Sequence, residues 1–167
     1  MQIKKTFRMI LIGLLFFPVS LISENQKGSG SQNNLKRFSL GLSIVDSNPA
    51  INTRFYFMED QSLEATVGAV EGGVFFNIAY LYDFVKTGED NFFKFYGGSG
   101  FISTVVSVDT GFLGEKKTYS ATGLWLPVGI SINFLPVELF AELDVVVFVG
   151  SYSGSDLTYS LGGRFYF

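Results

Sequence analysis

The segment Tyr159-Ser-Leu-Gly-Gly-Arg-Phe-Tyr-Phe167 decides the fold of this chain. Large apolar residues alternate here with small or polar residues, so an extended strand has one apolar face and one polar face. A strand with lipid on one side and a polar lumen on the other has this pattern. The segment therefore predicts one strand of a transmembrane β-barrel.

The same alternation recurs from residue 37 onward, between turn signals. Each run is about as long as the roughly 9–11 residues that a membrane strand needs. The predicted fold class is all-β, an eight-stranded antiparallel up-and-down transmembrane β-barrel over residues 37–167. The predicted strands are 37–46, 50–58, 62–70, 73–84, 92–104, 122–134, 137–148 and 157–167.

The N-terminal segment has the pattern of a secretory signal peptide, predicted here as residues 1–23. Basic residues precede an apolar run at 9–17, which Pro18 ends. The alternative is a retained transmembrane helix, but the run is shorter than the roughly 20 residues that a bilayer requires. Residues 24–36 are polar and rich in Gly and Ser, and they predict a flexible periplasmic leader.

The composition excludes several classes of function. The formal net charge is −3, and removal of the three basic residues of the signal peptide lowers it to −6. Nucleic-acid binding requires a basic face, so no nucleic-acid partner is expected. The chain has neither Cys nor His, which removes the usual zinc ligands and the commonest general base. We therefore predict no metal, no cofactor, no catalytic residues and no enzymatic activity.

An eight-stranded barrel with both chain ends in the periplasm fixes the side on which each turn lies. The turns near 58–61, 85–91 and 135–136 are then periplasmic, and the loops near 46–50, 71–73, 105–120 and 149–156 are external. The longest loop, 105–120, is the predicted contact surface for an external ligand.

Aromatic residues predicted to face outward near the periplasmic rim form a girdle: Phe55, Phe57, Tyr80, Tyr82, Phe93, Phe95, Phe134, Phe165 and Phe167.

Charged residues of the predicted strands fall on the inward face. Arg54 and Glu64 are equidistant from residue 59 across a tight turn, so they are expected to be cross-strand neighbours. Buried charges are usually paired, and eight strands leave an interior just wide enough for side chains. The sequence predicts a lumenal ion network of Arg54, Glu64, Lys94, Glu138, Glu142 and Arg164, with Asp83 and Asp144 as further inward charges. The functional alternatives are a proton or ion path, or paired carboxylates for acid–base chemistry.

Pro127 interrupts the alternation inside the sixth predicted strand. Proline cannot donate to a strand ladder, so it is usually found at edges or bulges. The sequence therefore predicts either a bulge at Pro127 or a sixth strand that begins later than residue 122.

Three segments resemble small bacterial outer-membrane β-barrel proteins of the eight-stranded OmpA/OmpX type. The segments are Leu126-Pro-Val-Gly-Ile-Ser131, Pro136-Val-Glu-Leu-Phe-Ala-Glu-Leu143 and Gly162-Gly-Arg-Phe-Tyr-Phe167. The resemblance covers about residues 38–167 and implies the fold and an outer-membrane location, but no functional residue. The terminal aromatic residue also resembles the assembly signal of such barrels, which implies that the barrel assembly machinery recognises Tyr159, Phe165 and Phe167.

The expected function is that of an integral outer-membrane barrel protein with a non-enzymatic structural or surface-interaction role. Its expected partners are outer-membrane lipid, the barrel assembly machinery through the C-terminal strand, and an external ligand. One alternative is a soluble periplasmic lipocalin-like barrel that binds a small apolar ligand, which would place the apolar residues inside and the charges outside. The other alternative is a narrow ion-conducting pore.

Overall fold

The chain forms a closed antiparallel β-barrel of eight strands in a computed structural model that describes residues 38–109, 116–149 and 153–167. Each strand pairs with the next one along the chain, and the last strand returns to pair with the first. The predicted fold class is confirmed in its strand number, direction and order. The strands are β1 Phe38–Val45, β2 Asn48–Tyr56, β3 Gln61–Val70, β4 Gly73–Thr87, β5 Phe93–Asp109, β6 Lys116–Phe134, β7 Val137–Val149 and β8 Gly154–Tyr166.

The predicted signal peptide, 1–23, and the predicted leader, 24–36, lie outside the described residues. Within the described part of the chain, no helix is both long enough and apolar enough to cross a membrane. The helical structure described is a short 3-10 turn at Glu89–Asn91, between β4 and β5.

The barrel has two ends, which we name by the turns at each. The lower end holds the β2–β3, β4–β5 and β6–β7 turns, together with the start of β1 and the end of β8. The upper end holds the other connections. The first of these is a two-residue turn at Asp46 and Ser47, whose φ angles of 45° and 71° are those of a type I′ hairpin turn. The connection is therefore shorter than the predicted loop at 46–50.

The prediction of a long loop at 105–120 is wrong, because most of that segment is strand. β5 continues to Asp109 and β6 begins at Lys116, so only residues 110–115, which the structure does not describe, connect them. Val106 faces Tyr119 in this extension. β4 follows β5 only as far as Val106, and the β5–β6 hairpin therefore continues above its neighbours at the upper end.

The facing of the side chains is that of a barrel with an apolar outside. Along β2, Ile51 and Phe55 are exposed, whereas Asn52 and Arg54 are buried. The other strands alternate in the same sense, and most of their charged residues lie inside, apart from exposed ones near strand ends such as Lys117 and Asp156. A lipocalin-like barrel would show the opposite facing, so this arrangement disfavours that alternative.

Pro127 is buried on the inward face of β6, and neither expectation about it is right. β6 begins earlier than predicted, not later. The pairing of β5 with β6 keeps one register on both sides of Pro127, at Gly97 and at Gly100, so no residue is inserted and there is no bulge. The pairing with β5 is interrupted between these two residues, while the pairing with β7 continues through Pro127 opposite Asp144. The interruption follows from the missing N–H of proline.

Candidate functional site

Five charged side chains meet in the lower half of the lumen, and we call them the ion cluster: Arg54, Glu64, Glu138, Glu142 and Arg164. The carboxylate of Glu64 bridges the two arginines. Its Oε2 atom lies 2.8 Å from Nη2 of Arg54 and 2.5 Å from Nη1 of Arg164. All five residues are almost completely buried. Charges at this depth are tolerated only when they are paired.

Strand register and the narrow lumen bring these residues together. Arg54 of β2 faces Glu64 of β3, and Glu138 of β7 faces Arg164 of β8. Nε of Arg164 lies 3.2 Å from Oε2 of Glu138. Arg164 of β8 also contacts Glu64 of β3 across the lumen. This contact joins the two cross-strand pairs into a single cluster.

Tyrosine hydroxyls complete the cluster, and sequence reasoning did not assign them to it. Tyr96 donates to Oε1 of Glu142 over 2.6 Å, and Tyr166 donates to Oε2 of Glu138 over 2.5 Å. Ser160 donates to the other oxygen of Glu142 over 2.9 Å. The alternation of side chains could have identified them, because Tyr96, Ser160 and Tyr166 each lie an even number of residues from an inward-facing charge on the same strand.

Aromatic rings also cover the two guanidinium groups. The Cζ atom of Arg54 lies 4.1 Å from the centre of the Tyr96 ring, and that of Arg164 lies 3.9 Å from the centre of the Phe140 ring. A cation placed over a ring face gains electrostatic attraction that increases as water is excluded. The cluster is therefore held by ring contacts as well as by ion pairs.

Lys94 lies apart from the ion cluster that the sequence predicts it to join. Its Nζ atom is 3.9 Å from Oδ2 of Asp83 and 3.1 Å from the hydroxyl of Tyr56. Tyr56 also lies 3.4 Å from Nη1 of Arg54, so this second group is connected to the cluster through one hydroxyl. The interior thus holds a main cluster and a smaller group nearer the lower end.

The chemistry of the cluster is that of a closed ion network. Every charged group in it has an opposite charge within 4 Å. The adjoining space, bounded by Glu64, Glu142 and Asp144 among others, has a volume of about 10 Å³. That space holds roughly one water molecule. The network can therefore fix strand positions and fill the lumen, but it has no room for a substrate.

The nine predicted girdle residues lie on the outer side of the barrel near the lower end. Several of them are in ring contact, such as Phe57 with Tyr80 at a centroid distance of 6.1 Å. Phe84 and Phe92 join them and were missed: Phe84 packs between Tyr82 and Phe95, and Phe92 packs against Phe134. The register of β4 against β5 shifts between Asp83 and Val85, at the position of Phe84. The alternation in the sequence does not reveal this shift.

The three residues of the predicted assembly signal lie on or just beyond β8. Tyr159 and Phe165 are exposed on its outer face, and Phe167 follows the strand and is exposed as well. The rings of Phe165 and Phe167 are 5.2 Å apart. Recognition of these residues by the assembly machinery stays a prediction.

We expect Arg54 and Glu64 to be energetically coupled. Glu64→Gln should lower the free energy of unfolding more in the wild-type background than in an Arg54→Met background, by about 1–3 kcal/mol. The reason is that Glu64→Gln takes a carboxylate from both Arg54 and Arg164 in the wild-type background, whereas only Arg164 loses it in the Arg54→Met background. Urea unfolding in detergent micelles measures all four members of the cycle, and additive effects would refute the coupling.

Comparison with known proteins gives structural neighbours of the same fold. No protein-family model matches the chain, and no curated protein matches its sequence. The N-terminal β-barrel domain of Pseudomonas aeruginosa OprF is similar with a TM-score of 0.63 and 14% identity, over 78% of this chain and 96% of that one. Neisserial surface protein A (NspA) is similar with a TM-score of 0.51 and 16% identity, over 78% of this chain and 95% of that one. The chain thus shares the fold of eight-stranded outer-membrane β-barrels, which confirms the resemblance at the level of the fold.

Proposed function

We propose that this chain is an integral protein of a bacterial outer membrane, with a non-enzymatic structural or surface-interaction role. One observation carries the proposal, namely that the closed barrel exposes apolar side chains around its whole circumference while the charges midway along its strands lie inside. Apolar residues midway along different strands are exposed: Leu42, Val67, Ile78, Val128, Leu143 and Leu161.

Lipid is the covering that fits this surface. Soluble monomers rarely expose contiguous apolar patches larger than a few hundred Å², and a belt around a whole barrel exceeds that. Every strand of the barrel pairs with two neighbours, so most of its backbone groups are satisfied without water, as a membrane requires. A belt of apolar side chains on a closed barrel therefore supports insertion into a bilayer.

The girdle supports an orientation in which the lower end faces the periplasm. Aromatic side chains are enriched where a barrel meets the two membrane–water interfaces. The rings of Phe57, Tyr80, Phe95 and Phe134 lie on the outer face at that end. In this proposal residues 1–23 are a cleaved signal peptide and 24–36 a periplasmic leader.

The ion cluster supports a structural role for the lumen. Arg54 and Arg164 are 0% and 2% exposed, so side chains fill the lumen at that level. A narrow pore would need a continuous water path there. We propose that the cluster braces the barrel, and that discrete conductance steps in planar bilayers are not seen.

The upper end is the proposed contact surface. The β5–β6 hairpin continues above the neighbouring strands, with β5 ending at Asp109 and β6 beginning at Lys116. An external ligand or surface partner would meet this hairpin first. Recognition by the assembly machinery through Tyr159, Phe165 and Phe167 belongs to the same proposal.

The test is gel mobility after outer-membrane fractionation. The mature protein is expected in the membrane fraction, and its unboiled form is expected to migrate differently from its boiled form, because a closed barrel resists unfolding by detergent without heat. A single unshifted band in the soluble fraction would overturn the proposed location. A conductance recording on the same preparation separates the structural role from a pore.

A further inference from the structure

The upper half of the lumen contains a cavity that the ion cluster does not use. Its volume is about 130 Å³, about ten times the volume needed for one water molecule. It extends from Trp125 in the middle of the barrel to Asp46 and Asp156 at the upper rim. Most of its wall is apolar or aromatic, and we call it the upper cavity.

A carboxylate without a cation lies just below the floor of this cavity. Asp144 is 2% exposed, and its Oδ2 atom accepts a hydrogen bond from the hydroxyl of Thr158 over 3.4 Å. The side chain of Trp125 donates a further hydrogen bond to the carboxylate. Its Oδ1 atom has no hydrogen-bond partner among the described residues. Asp144 lines the small chamber directly beneath, which shares Trp125 and Asn77 with the upper cavity. An ionised carboxylate in such a place is costly unless a positive charge is supplied.

A second buried oxygen faces the same space. Asn77 is 4% exposed and lines both the chamber and the upper cavity. Its Oδ1 atom also lacks a hydrogen-bond partner within the described ranges. Buried polar atoms are nearly always satisfied in native proteins, so these two oxygens can accept from a donor that the described residues do not supply.

Charge around the upper cavity has one sign. Its described lining includes Asp46 and Asp156, with Asp144 just below, and it includes no lysine or arginine. The walls add the aromatic rings of Trp125, Phe75 and Phe148. Ring faces attract cations, and carboxylates together with aromatic walls are the usual means of holding an organic ammonium group.

We propose that the upper cavity binds a small organic cation, an ammonium group on a compact apolar body. The ammonium group lies toward Asp144 and Asn77 and replaces the missing donor and counter-charge. The apolar body lies against Trp125 and Phe75. A neutral apolar ligand would leave the carboxylate unpaired, and a hydrated metal ion would leave the aromatic wall unused. This site is separate from the proposed surface contacts at the hairpin.

Trp125 provides the measurement, because it is the only tryptophan of the chain. The purified barrel in detergent is titrated with 3,3-dimethylbutan-1-amine, which is a primary ammonium ion at neutral pH, and, as the matched control, with 3,3-dimethylbutan-1-ol, which has the same apolar body without the charge. We expect the amine to change the fluorescence of Trp125 saturably and to bind about tenfold more tightly or better than the alcohol. Equal binding of the two compounds, or no change with either, would overturn the proposal.

Two variants and one control assign the preference for the amine to Asp144 and Asn77. Asp144→Asn should remove the preference for the amine over the alcohol, whereas Glu59→Gln, an equal charge change at the exposed lower end, should leave it unchanged. Asn77→Ala should weaken binding of the amine to a smaller extent without any change of charge. An unaltered preference in Asp144→Asn would refute the assignment. Gel mobility with and without boiling shows that each variant is a closed barrel, so a loss of binding is distinguishable from a failure of the proposed membrane fold.

Discussion

Arg164→Met should lower the free energy of unfolding of the barrel by about 3–5 kcal/mol, as expected when one partner of a buried ion network is removed. Arg164 lies within 4 Å of all three carboxylates of the ion cluster. Without it, Glu64, Glu138 and Glu142 share a single arginine. Urea unfolding of the protein in detergent micelles, followed by the shift between folded and unfolded bands, measures the loss.

A second substitution distinguishes loss of pairing from loss of packing. Adding Glu138→Met to Arg164→Met removes one of the unpaired carboxylates and should recover part of the lost stability. Lys86→Met is the peripheral control: Lys86 pairs with the partly exposed Asp60 at 2.5 Å near the lower end, and its own side chain is 13% exposed, so its loss should cost less than the loss of Arg164. A double variant as unstable as Arg164→Met alone would contradict the electrostatic explanation.

Leu143→Arg should lower the stability of the membrane-inserted barrel by about 2–4 kcal/mol and reduce its assembly, because Leu143 lies on the outer face at the middle of β7. Arginine at this depth must leave its charge in hydrocarbon or distort the bilayer around it. The measurement is the heat-modifiable fraction in outer membranes and the unfolding free energy in lipid vesicles.

Val149→Arg is the matched control for this substitution. Leu143 and Val149 are 59% and 58% exposed on the same face of the same strand. Val149 is the last residue of β7, roughly 15 Å higher for a strand tilted by about 40°. Arginine near the interface should cost only about 0–1 kcal/mol. Equal tolerance of both variants would mean that lipid does not cover the middle of the barrel.

The facing of the strands could be predicted from the sequence because one face of each strand is buried. Period-2 alternation places Phe55 outside and Arg54 inside, and the spacing around residue 59 places Arg54 opposite Glu64. These features depend only on local parity and on a tight turn. The closed interior then limits which charges can meet.

The extension of β5 and β6 could not be predicted in the same way. Ser107 and Val108 are both exposed, so no buried face imposes alternation on this part of the hairpin. The partners of the inward tyrosines could not be predicted either. Parity places Tyr96 and Tyr166 inside, but whether they reach Glu142 or Glu138 depends on side-chain positions across the lumen. The upper cavity likewise depends on the summed volumes of side chains from many strands.

The pairing of β8 with β1 has a kinetic consequence. It joins Ser39 to Tyr166, residues from opposite ends of the barrel sequence, and the contact between Glu64 and Arg164 spans 100 residues. Contacts of such high sequence separation form slowly, because the chain must first lose the entropy of a long loop. A partly assembled sheet without β8 has a strand edge on β1 and β7 and three carboxylates with one arginine. Pairing of β8 with β1 removes the open edges and the excess negative charge together, so we expect the barrel to gain most of its resistance to unfolding at the step that closes it.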